Sequence, residues 1–173
     1  MLIYLVRHAI AVERGTNGID DHDRPLTEKG IGRMAQGVRG LDAIGVTLDA
    51  IWTSPLRRAR QTAEILETLK KSSRICNEEA EGTSRIQTVD ILAPGGDAMA
   101  LTAMIETAQH VNSLALVGHE PDLSELAGAI LFEKSQSAIL LKKGAVCCIE
   151  IAGGCAILQW VLQPQVLRML ANR

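Results

Sequence analysis

Two apolar segments of the chain end abruptly in side chains that can bind anions. Residues 2–6 form an almost unbroken apolar run that Arg7 and His8 follow directly, and residues 113–117 are followed by Gly118 and His119. Short apolar runs of this kind are typical of strands buried on both faces of a parallel sheet. Since open α/β sheets bind ligands beyond the carboxyl ends of their strands, these side chains are candidates for a ligand site. Taken alone, Arg7 and His8 are equally consistent with a strand that simply leaves the core at Arg7.

A group of arginines forms a third candidate, where a helix is expected to begin. Residues 48–53 predict a strand, and Ser54 with Pro55 predicts an N-cap followed by proline at the first helical position. Three arginines then crowd the first two turns: Arg57, Arg58 and Arg60. The helix dipole disfavours cations there by roughly a few tenths of a kcal/mol each, which an anion shared with the helix end would explain. The alternative is that the side chains reach into solvent, which is easier to accept for Arg57 and Arg60 than for all three.

The composition of the chain limits both its architecture and its partners. The chain has 173 residues, 47% hydrophobic and 22% charged, which fits a single domain over residues 1–173. Its 18 Lys+Arg and 20 Asp+Glu give a net charge of −2, and it contains no long basic block. We therefore expect neither a nucleic-acid partner nor a membrane-surface role.

The cysteines and the apolar segments indicate where the protein acts. The four cysteines have no C-x-x-C spacing, and the adjacent Cys147 and Cys148 would point to opposite faces of a strand. They are interpreted as small buried hydrophobic residues in a reducing compartment. The N-terminus enters the first apolar run without the features of a signal peptide, and no apolar run reaches 18 residues. We expect a soluble cytoplasmic protein.

Polar and helical patterns predict the elements that hold these residues. Residues 13–24 are rich in Gly, Asn and Asp and predict a loop. Thr27 is the expected N-cap of a helix that continues to Leu41, in which Gly40 is either the C-terminal cap or an interior residue. A weak third strand is expected at residues 73–76, and residues 77–96 show no clear periodicity before residues 94–97 begin the next helix.

The second half of the chain predicts a strand, a helix and then a hairpin. Pro121 opens a helix after the apolar run over residues 113–117. Residues 146–151 and 155–162 predict two strands joined through Gly153 and Gly154, a connection suited to a tight antiparallel hairpin. A short helix follows over residues 163–170. This order predicts an α/β fold, a three-layer α/β/α domain with a mostly parallel, mixed sheet and an antiparallel C-terminal hairpin.

Several enzyme classes are disfavoured because their motifs are missing. His22 in the polar loop and His110 near a helix end are expected to be solvated, and none of the four histidines has the spacing of a zinc site. The sequence contains no G-x-S-x-G, no G-x-x-x-x-G-K-[ST], and no G-x-G-x-x-G after the first strand. These absences disfavour a serine hydrolase, a P-loop nucleotidase and a dinucleotide dehydrogenase.

Three motifs at the predicted strand ends together resemble those of the histidine phosphatase (phosphoglycerate mutase-like) superfamily. They are V-R-H-A at residues 6–9, T-S-P-L-R-R-A-R-Q-T at residues 53–62 and G-H-E-P at residues 118–121. R-P-L-T at residues 24–27 with Gly30, and the surroundings of Gly144 and Trp160, are similar to its smallest branch, the SixA-type phosphohistidine phosphatases. The resemblance extends over essentially the whole chain. Each motif alone is weak, but three in this order are specific.

The resemblance implies a catalytic role for each matching residue. His8 would be the nucleophile that takes the phosphoryl group, and Arg7, Arg58 and His119 would hold its oxygens. This agrees with the chemistry, because phosphoryl transfer needs mainly positioning and charge neutralisation. No metal or diffusible cofactor is required. The expected partner is a phosphohistidine-carrying protein, such as a phosphotransfer domain in phosphorelay signalling, with phosphate as the product.

Two departures from the superfamily pattern bear on substrate choice. Ala9 stands where the signature usually has glycine, and alanine would add strain if that position needed a positive φ. Many relatives have a glutamate acid beyond the third strand, where residues 90–94 here read D-I-L-A-P, and residues 77–96 are too few for a lid insertion. SixA-type relatives share the missing acid and the open site. The alternatives are a small-molecule phosphomonoesterase of the same fold and a phosphate-binding pseudoenzyme that docks on phosphorelay proteins.

Overall fold

Six strands form one mixed sheet in the computed structural model, which describes residues 1–70, 84–108, 111–134, 136–137 and 139–172. In chain order they are β1 (Leu2–Arg7), β2 (Ala50–Thr53), β3 (Ile86–Thr88), β4 (Ser113–Gly118), β5 (Val146–Ala152) and β6 (Cys155–Leu162). Across the sheet the order is β3-β2-β4-β1-β5-β6. The first four strands are mutually parallel, whereas β5 and β6 are antiparallel. The predicted mostly parallel sheet with a C-terminal hairpin is confirmed.

The register of the parallel strands brings three carboxyl ends together. Arg7 at the end of β1 pairs with Gly118 of β4, and Thr53 at the end of β2 pairs with Val117. Because parallel strands end at the same edge of a sheet, the segments that follow β1, β2 and β4 begin side by side. Residues 3–6 of β1 are buried between β4 and β5, which confirms the predicted central strand.

Helices cover both faces of the sheet. Five α-helices are present in the described residues: α1 (Glu28–Ala43), α2 (Arg57–Leu66), α3 (Ala98–Thr107), α4 (Asp122–Phe132) and α5 (Pro164–Leu170). One hydrophobic core contains residues of α1, α2 and α5, and the other contains residues of α3 and α4. The predicted three-layer α/β/α domain is therefore confirmed. None of the described helices is long and apolar enough to cross a membrane.

The adjacent cysteines of β5 lie in different cores. Cys147 faces the core beneath α3 and α4, and Cys148 faces the core beneath α1, α2 and α5, as strand alternation predicts. Burial raises the pKa of the Cys147 thiol to about 12 and that of Cys148 to about 11. Both therefore stay protonated and unreactive near neutral pH. Cys155 is exposed, and Cys76 lies outside the described residues.

The structure resolves how α1 begins and what Gly40 does. Thr27 caps α1 as predicted, since its Oγ1 accepts a hydrogen bond from the backbone N–H of Gly30 at 3.0 Å. The helix continues past Gly40 to Ala43, so Gly40 is an interior residue and not the cap. A Cβ at Gly40 would lie 2.0 Å from the carbonyl oxygen of Leu167. Because Gly40 has no side chain, the backbone of α5 can pack directly against the backbone of α1.

The structure corrects the predicted start of α2 and adds a strand that was not predicted. The helix α2 begins at Arg57 with Leu56 as its N-cap, rather than at Pro55 with Ser54 as its cap. The Ser54 hydroxyl accepts the N–H of Leu56 at 3.3 Å in a local turn instead. The strand β3 lies in the segment expected to lack periodicity, because three residues are too few to show a two-residue period. The strand expected at residues 73–76 lies outside the described residues.

Candidate active site

The predicted site residues lie around one cavity at the carboxyl edge of the sheet. This strand-end cavity has a volume of about 300 Å³. It is lined by Arg7, His8, Glu13, Arg14, Arg24, Arg58, Pro94, His119, Glu120 and Lys143. The rings of His8 and His119 lie with their centroids 5.1 Å apart and their planes at 56°. The structure thus brings together all four side chains that the sequence selected: Arg7, His8, Arg58 and His119.

His8 is a buried, neutral imidazole with a defined tautomer. Its ring Nδ1 lies 2.7 Å from the carbonyl oxygen of Ala9, and since a carbonyl only accepts, Nδ1 must carry the proton. The neutral ring therefore keeps its lone pair on Nε2. Burial lowers the pKa of His8 to about 3, and the neighbouring charges of Arg58 and Arg7 act in the same direction. Near pH 7, Nε2 of His8 therefore carries a free lone pair and can act as a nucleophile.

Ala9 fits its position without backbone strain. The described non-glycine residues with positive φ are Asn17 and Glu133, so Ala9 does not need the conformation that favours glycine. Its N–H donates to Thr62 Oγ1 at 3.1 Å, and the same hydroxyl donates to the Arg58 carbonyl at 2.7 Å. The condition under which alanine would add strain at this position, a positive φ, is therefore not met. Thr62 instead joins the segment after β1 to α2.

Arg58 is the member of the arginine cluster that lies at the cavity. Arg58 is only 1% exposed, whereas Arg57 and Arg60 are exposed. The helix α2 packs Ala59 and Ala63 into the core, and this orientation turns Arg58 inward and the other two arginines outward. Its Nη1 donates to the Asp21 carbonyl at 2.7 Å, and its Nη2 donates to Asp21 Oδ2 at 3.2 Å. Its Nε is buried without a hydrogen-bond partner in the described structure. A bound anion would satisfy this donor.

Asp21 joins the polar loop to Arg58, and the sequence reasoning missed it. Its Oδ1 accepts from Arg14 Nε at 2.8 Å and lies 2.8 Å from an Arg24 guanidinium nitrogen. Burial of the Asp21 carboxyl opposes ionisation, but the Arg24 hydrogen bond and the Arg58 charge outweigh it and lower the pKa to about 2. The only signal in the sequence was the mixture of arginines and aspartates in residues 13–24, which is also common in solvated loops.

A series of hydrogen bonds links Arg7 to Glu120 through the backbone of Leu141. Arg7 Nη1 donates to the Leu141 carbonyl at 2.6 Å, and the Leu141 N–H donates to Glu120 Oε1 at 3.1 Å. The other carboxylate oxygen of Glu120 accepts from the Ser124 hydroxyl at 2.6 Å. Arg7 Nε is buried and, like that of Arg58, has no partner among the described residues. Glu120 thus connects α4, the segment before β5 and the cavity arginine.

His119 contacts the serine that the sequence assigned to a helix cap. Its Nε2 lies 2.9 Å from Ser54 Oγ, and the residue is 4% exposed. Burial lowers the pKa of His119 to about 3, with Arg58 adding to the effect and Asp21 opposing it. With both imidazoles neutral, the cavity lining has five Arg or Lys side chains against two glutamates. The cavity is therefore suited to an anion.

Of the other histidines, His22 is exposed as expected, and His110 lies outside the described residues.

Comparisons with known proteins place this chain in a family. The family model of the histidine phosphatase superfamily (branch 1) matches residues 3–80. An uncharacterized protein of Picosynechococcus sp. strain PCC 7002 is 39% identical over 161 residues, which cover 92% of this chain and 89% of that protein. The chain belongs to the histidine phosphatase superfamily, a superfamily of phosphatases.

Solved structures share the fold over almost the entire chain. The protein histidine phosphatase SixA complexed with tungstate superposes with a TM-score of 0.79 at 20% identity, covering 96% of this chain and 99% of SixA. The alpha-ribazole phosphatase of Shigella flexneri superposes with a TM-score of 0.71 at 18% identity, covering 95% and 97%. At these identities the likeness concerns the fold alone.

Proposed function

We propose that the protein hydrolyses phosphohistidine on another protein through a covalent phosphohistidine intermediate on His8. The observation that carries the proposal is the neutral imidazole of His8, with its proton fixed on Nδ1, in a cavity where two arginines have unpaired buried Nε donors. Phosphoryl transfer requires a nucleophile and cationic hydrogen-bond donors for the phosphoryl oxygens, and this cavity offers both.

The reaction divides into two displacements at phosphorus. In the first, His8 Nε2 forms a bond to phosphorus while the bond to the substrate ring breaks; that ring, already protonated on its other nitrogen, leaves as neutral imidazole with the bonding electron pair. In the second, water attacks the phosphorus on His8 and gives up a proton to solvent while the P–N bond breaks, which yields inorganic phosphate and the neutral His8 ring. Arg7, Arg58 and His119 hold the phosphoryl oxygens in both steps. At about 4 Å and an effective dielectric constant near 20, one cation interacts with a full negative charge by about 4 kcal/mol.

The carboxylates near the cavity favour a substrate whose leaving group needs little protonation. Both oxygens of Glu120 already accept hydrogen bonds, and Glu13 is exposed. Asp97 caps α3 by accepting from Met99 and Ala100, and neither Asp97 nor Asp90 lines the cavity. A site of this kind suits an imidazole leaving group better than an alkoxide. The absence of a lid insertion in residues 1–173 remains a prediction, because residues 71–83 are not described.

Small-molecule phosphate ester hydrolysis is the second candidate function. It is favoured by the shared fold with the alpha-ribazole phosphatase of Shigella flexneri. Phosphate release from a histidine-phosphorylated phosphotransfer domain and from common sugar phosphates, measured side by side, distinguishes the two. We expect rapid, repeated turnover of the phosphoprotein. A faster reaction with a sugar phosphate would establish the second candidate, and release of one phosphate per protein without turnover would identify a pseudoenzyme.

Arg58 is expected to contribute more to turnover than either neighbouring arginine. Arg58→Ala removes a buried, charge-assisted contact to the phosphoryl group and should cost at least about 2 kcal/mol of transition-state stabilisation, roughly a thirtyfold loss in kcat/KM. Arg57→Ala and Arg60→Ala are the matched controls, because both side chains are exposed. Equal losses in Arg57→Ala and Arg58→Ala would show that the phosphate clamp has been misassigned.

Glu120 is expected to position Arg7 rather than to donate a proton. Glu120→Ala removes the acceptor of the Leu141 N–H and should lower kcat/KM for the phosphoprotein about fivefold, as expected for one lost hydrogen bond. Glu120→Gln keeps an acceptor for Leu141 and an amide for Ser124, so it should recover most of the activity. If Glu120→Gln were as damaged as Glu120→Ala, and most severely with sugar phosphates, Glu120 would be a general acid.

A further inference from the structure

A second, larger cleft lies beside the strand-end cavity, between α1, α5 and residues 142–144. We call it the basic cleft. Its volume is about 460 Å³, and its cationic lining residues are Arg7, Arg33, Lys142, Lys143 and Arg168. Its walls also include the apolar side chains of Met34 and Pro164, and Met34 is buried. The mechanism proposed above uses only Arg7 of this set.

The charge of the basic cleft is not balanced by the protein itself. No aspartate or glutamate is among its lining residues. Every ion pair found among the described residues has Asp21 or Asp23 as its acid, and none includes a cation of the basic cleft. The whole chain carries a net charge of −2. A local excess of five cations in a chain of that charge indicates a surface that attracts an anionic partner.

The basic cleft adjoins the strand-end cavity. Arg7 and Lys143 line both of them. A protein ligand whose phosphoryl group lies at His8 would therefore have groups near the phosphohistidine close to the basic cleft. The remaining cations of the basic cleft lie on three separate segments: Arg33 on α1, Arg168 on α5 and Lys142 before β5.

Resting on the proposed function, we propose that the basic cleft binds carboxylate side chains that flank the phosphohistidine on the partner protein. Cations distributed over several segments match several surface carboxylates, since Arg33, Lys142 and Lys143 are exposed and Arg168 is half-buried. The apolar wall of Met34 and Pro164 matches the side-chain stems between those carboxylates. Such contacts steer association and strengthen binding of the partner protein without touching the reacting phosphoryl group. They should affect the protein substrate and leave small phosphoramidates largely unaffected.

Charge reversal in the basic cleft tests this assignment. Arg33→Glu combined with Arg168→Glu should raise KM at least tenfold for a histidine-phosphorylated phosphotransfer domain with acidic residues around its histidine, with kcat nearly unchanged. Hydrolysis of phosphoramidate by the same variant should change less than threefold. Arg39→Glu combined with Lys70→Glu is the matched control, because both residues are exposed and lie outside the basic cleft and the strand-end cavity.

A reciprocal binding experiment separates the basic cleft from the chemistry. The unphosphorylated phosphotransfer domain should bind the wild-type protein more weakly as salt rises, and replacing its flanking carboxylates with amides should weaken binding to the wild type but not to the double variant. Equal affinity of the wild type and the double variant for this domain would overturn the proposal. So would a selective loss of activity towards small bisphosphates, which would make the basic cleft a second phosphate site. Failure of the proposed function would appear separately, as wild-type protein that binds the domain without releasing phosphate.

Discussion

The His8→Ala variant is expected to release no phosphate above the uncatalysed rate. Without the imidazole, no nitrogen is available at the carboxyl end of β1 to form the covalent intermediate, and the cations of the strand-end cavity would hold a phosphoryl group that nothing attacks. Phosphate release from the histidine-phosphorylated domain measures the loss. His22→Ala is the matched control, since His22 is an exposed histidine of the polar loop. Melting curves for both variants confirm that each is folded.

The intermediate itself should be trapped on the wild-type protein. After rapid quenching in alkali with a labelled substrate, we expect label that is stable to alkali and lost in acid, because N-phosphohistidine is acid-labile. An acid quench should therefore retain little label. His8→Ala should trap none. Full activity of His8→Ala, or alkali-stable label on another residue, would refute the covalent mechanism.

Hydrolysis rates are expected to depend strongly on the leaving group. An alkoxide leaving from a sugar phosphate has a conjugate acid with a pKa of about 15, whereas a ring-protonated phosphohistidine releases neutral imidazole, whose conjugate acid has a reference pKa of about 6.5. If about one third of this pKa difference is expressed in the free energy of a loose transition state, the phosphohistidine reacts about a thousandfold faster than the sugar phosphate. The described carboxylates offer little compensation, since Glu120 is engaged by Leu141 and Ser124.

A series of substrates measures this dependence. A phosphohistidine protein should be hydrolysed fastest, an activated aryl phosphate at an intermediate rate and a sugar phosphate slowest. The order follows leaving-group basicity, because each substrate presents the same phosphoryl group to His8. Comparable efficiency with a sugar phosphate would require an unrecognised acid. Glu13 and Glu120 would then be the first residues to mutate, since they are the carboxylates that line the strand-end cavity.

The parts of the site that could be predicted are those encoded locally. An apolar run followed by Arg7 and His8 predicted both a central strand and the end of it at which a cavity opens, and the same holds for His119 after β4. Choosing Arg58 among three arginines needed the resemblance, because helix position alone does not say which face packs inward. The structure supplies that face through the burial of Ala59 and Ala63.

The parts that could not be predicted depend on contacts distant in sequence. Asp21 reaches Arg58 from a loop whose composition indicates only solvation, and the link from Glu120 to Arg7 passes through a backbone group of Leu141. No local pattern encodes such contacts. Ser54 was predicted to cap a helix because it precedes Pro55. Its hydroxyl instead contacts His119, which follows the neighbouring strand β4. The strand β3 was missed because three edge residues have no readable period.

The close approach of α5 to α1 at Gly40 has an evolutionary consequence. The separation of these two helices is set by contact between backbones, because the Leu167 carbonyl lies where any Cβ at Gly40 would be. Arg33 and Arg168 extend from this fixed frame into the basic cleft. Their charges can therefore diverge between descendants of one gene without altering the width of the cleft. Under the proposed function, a lineage that exchanged a few surface charges would acquire a new phosphoprotein partner, while the side chains around His8 stayed the same.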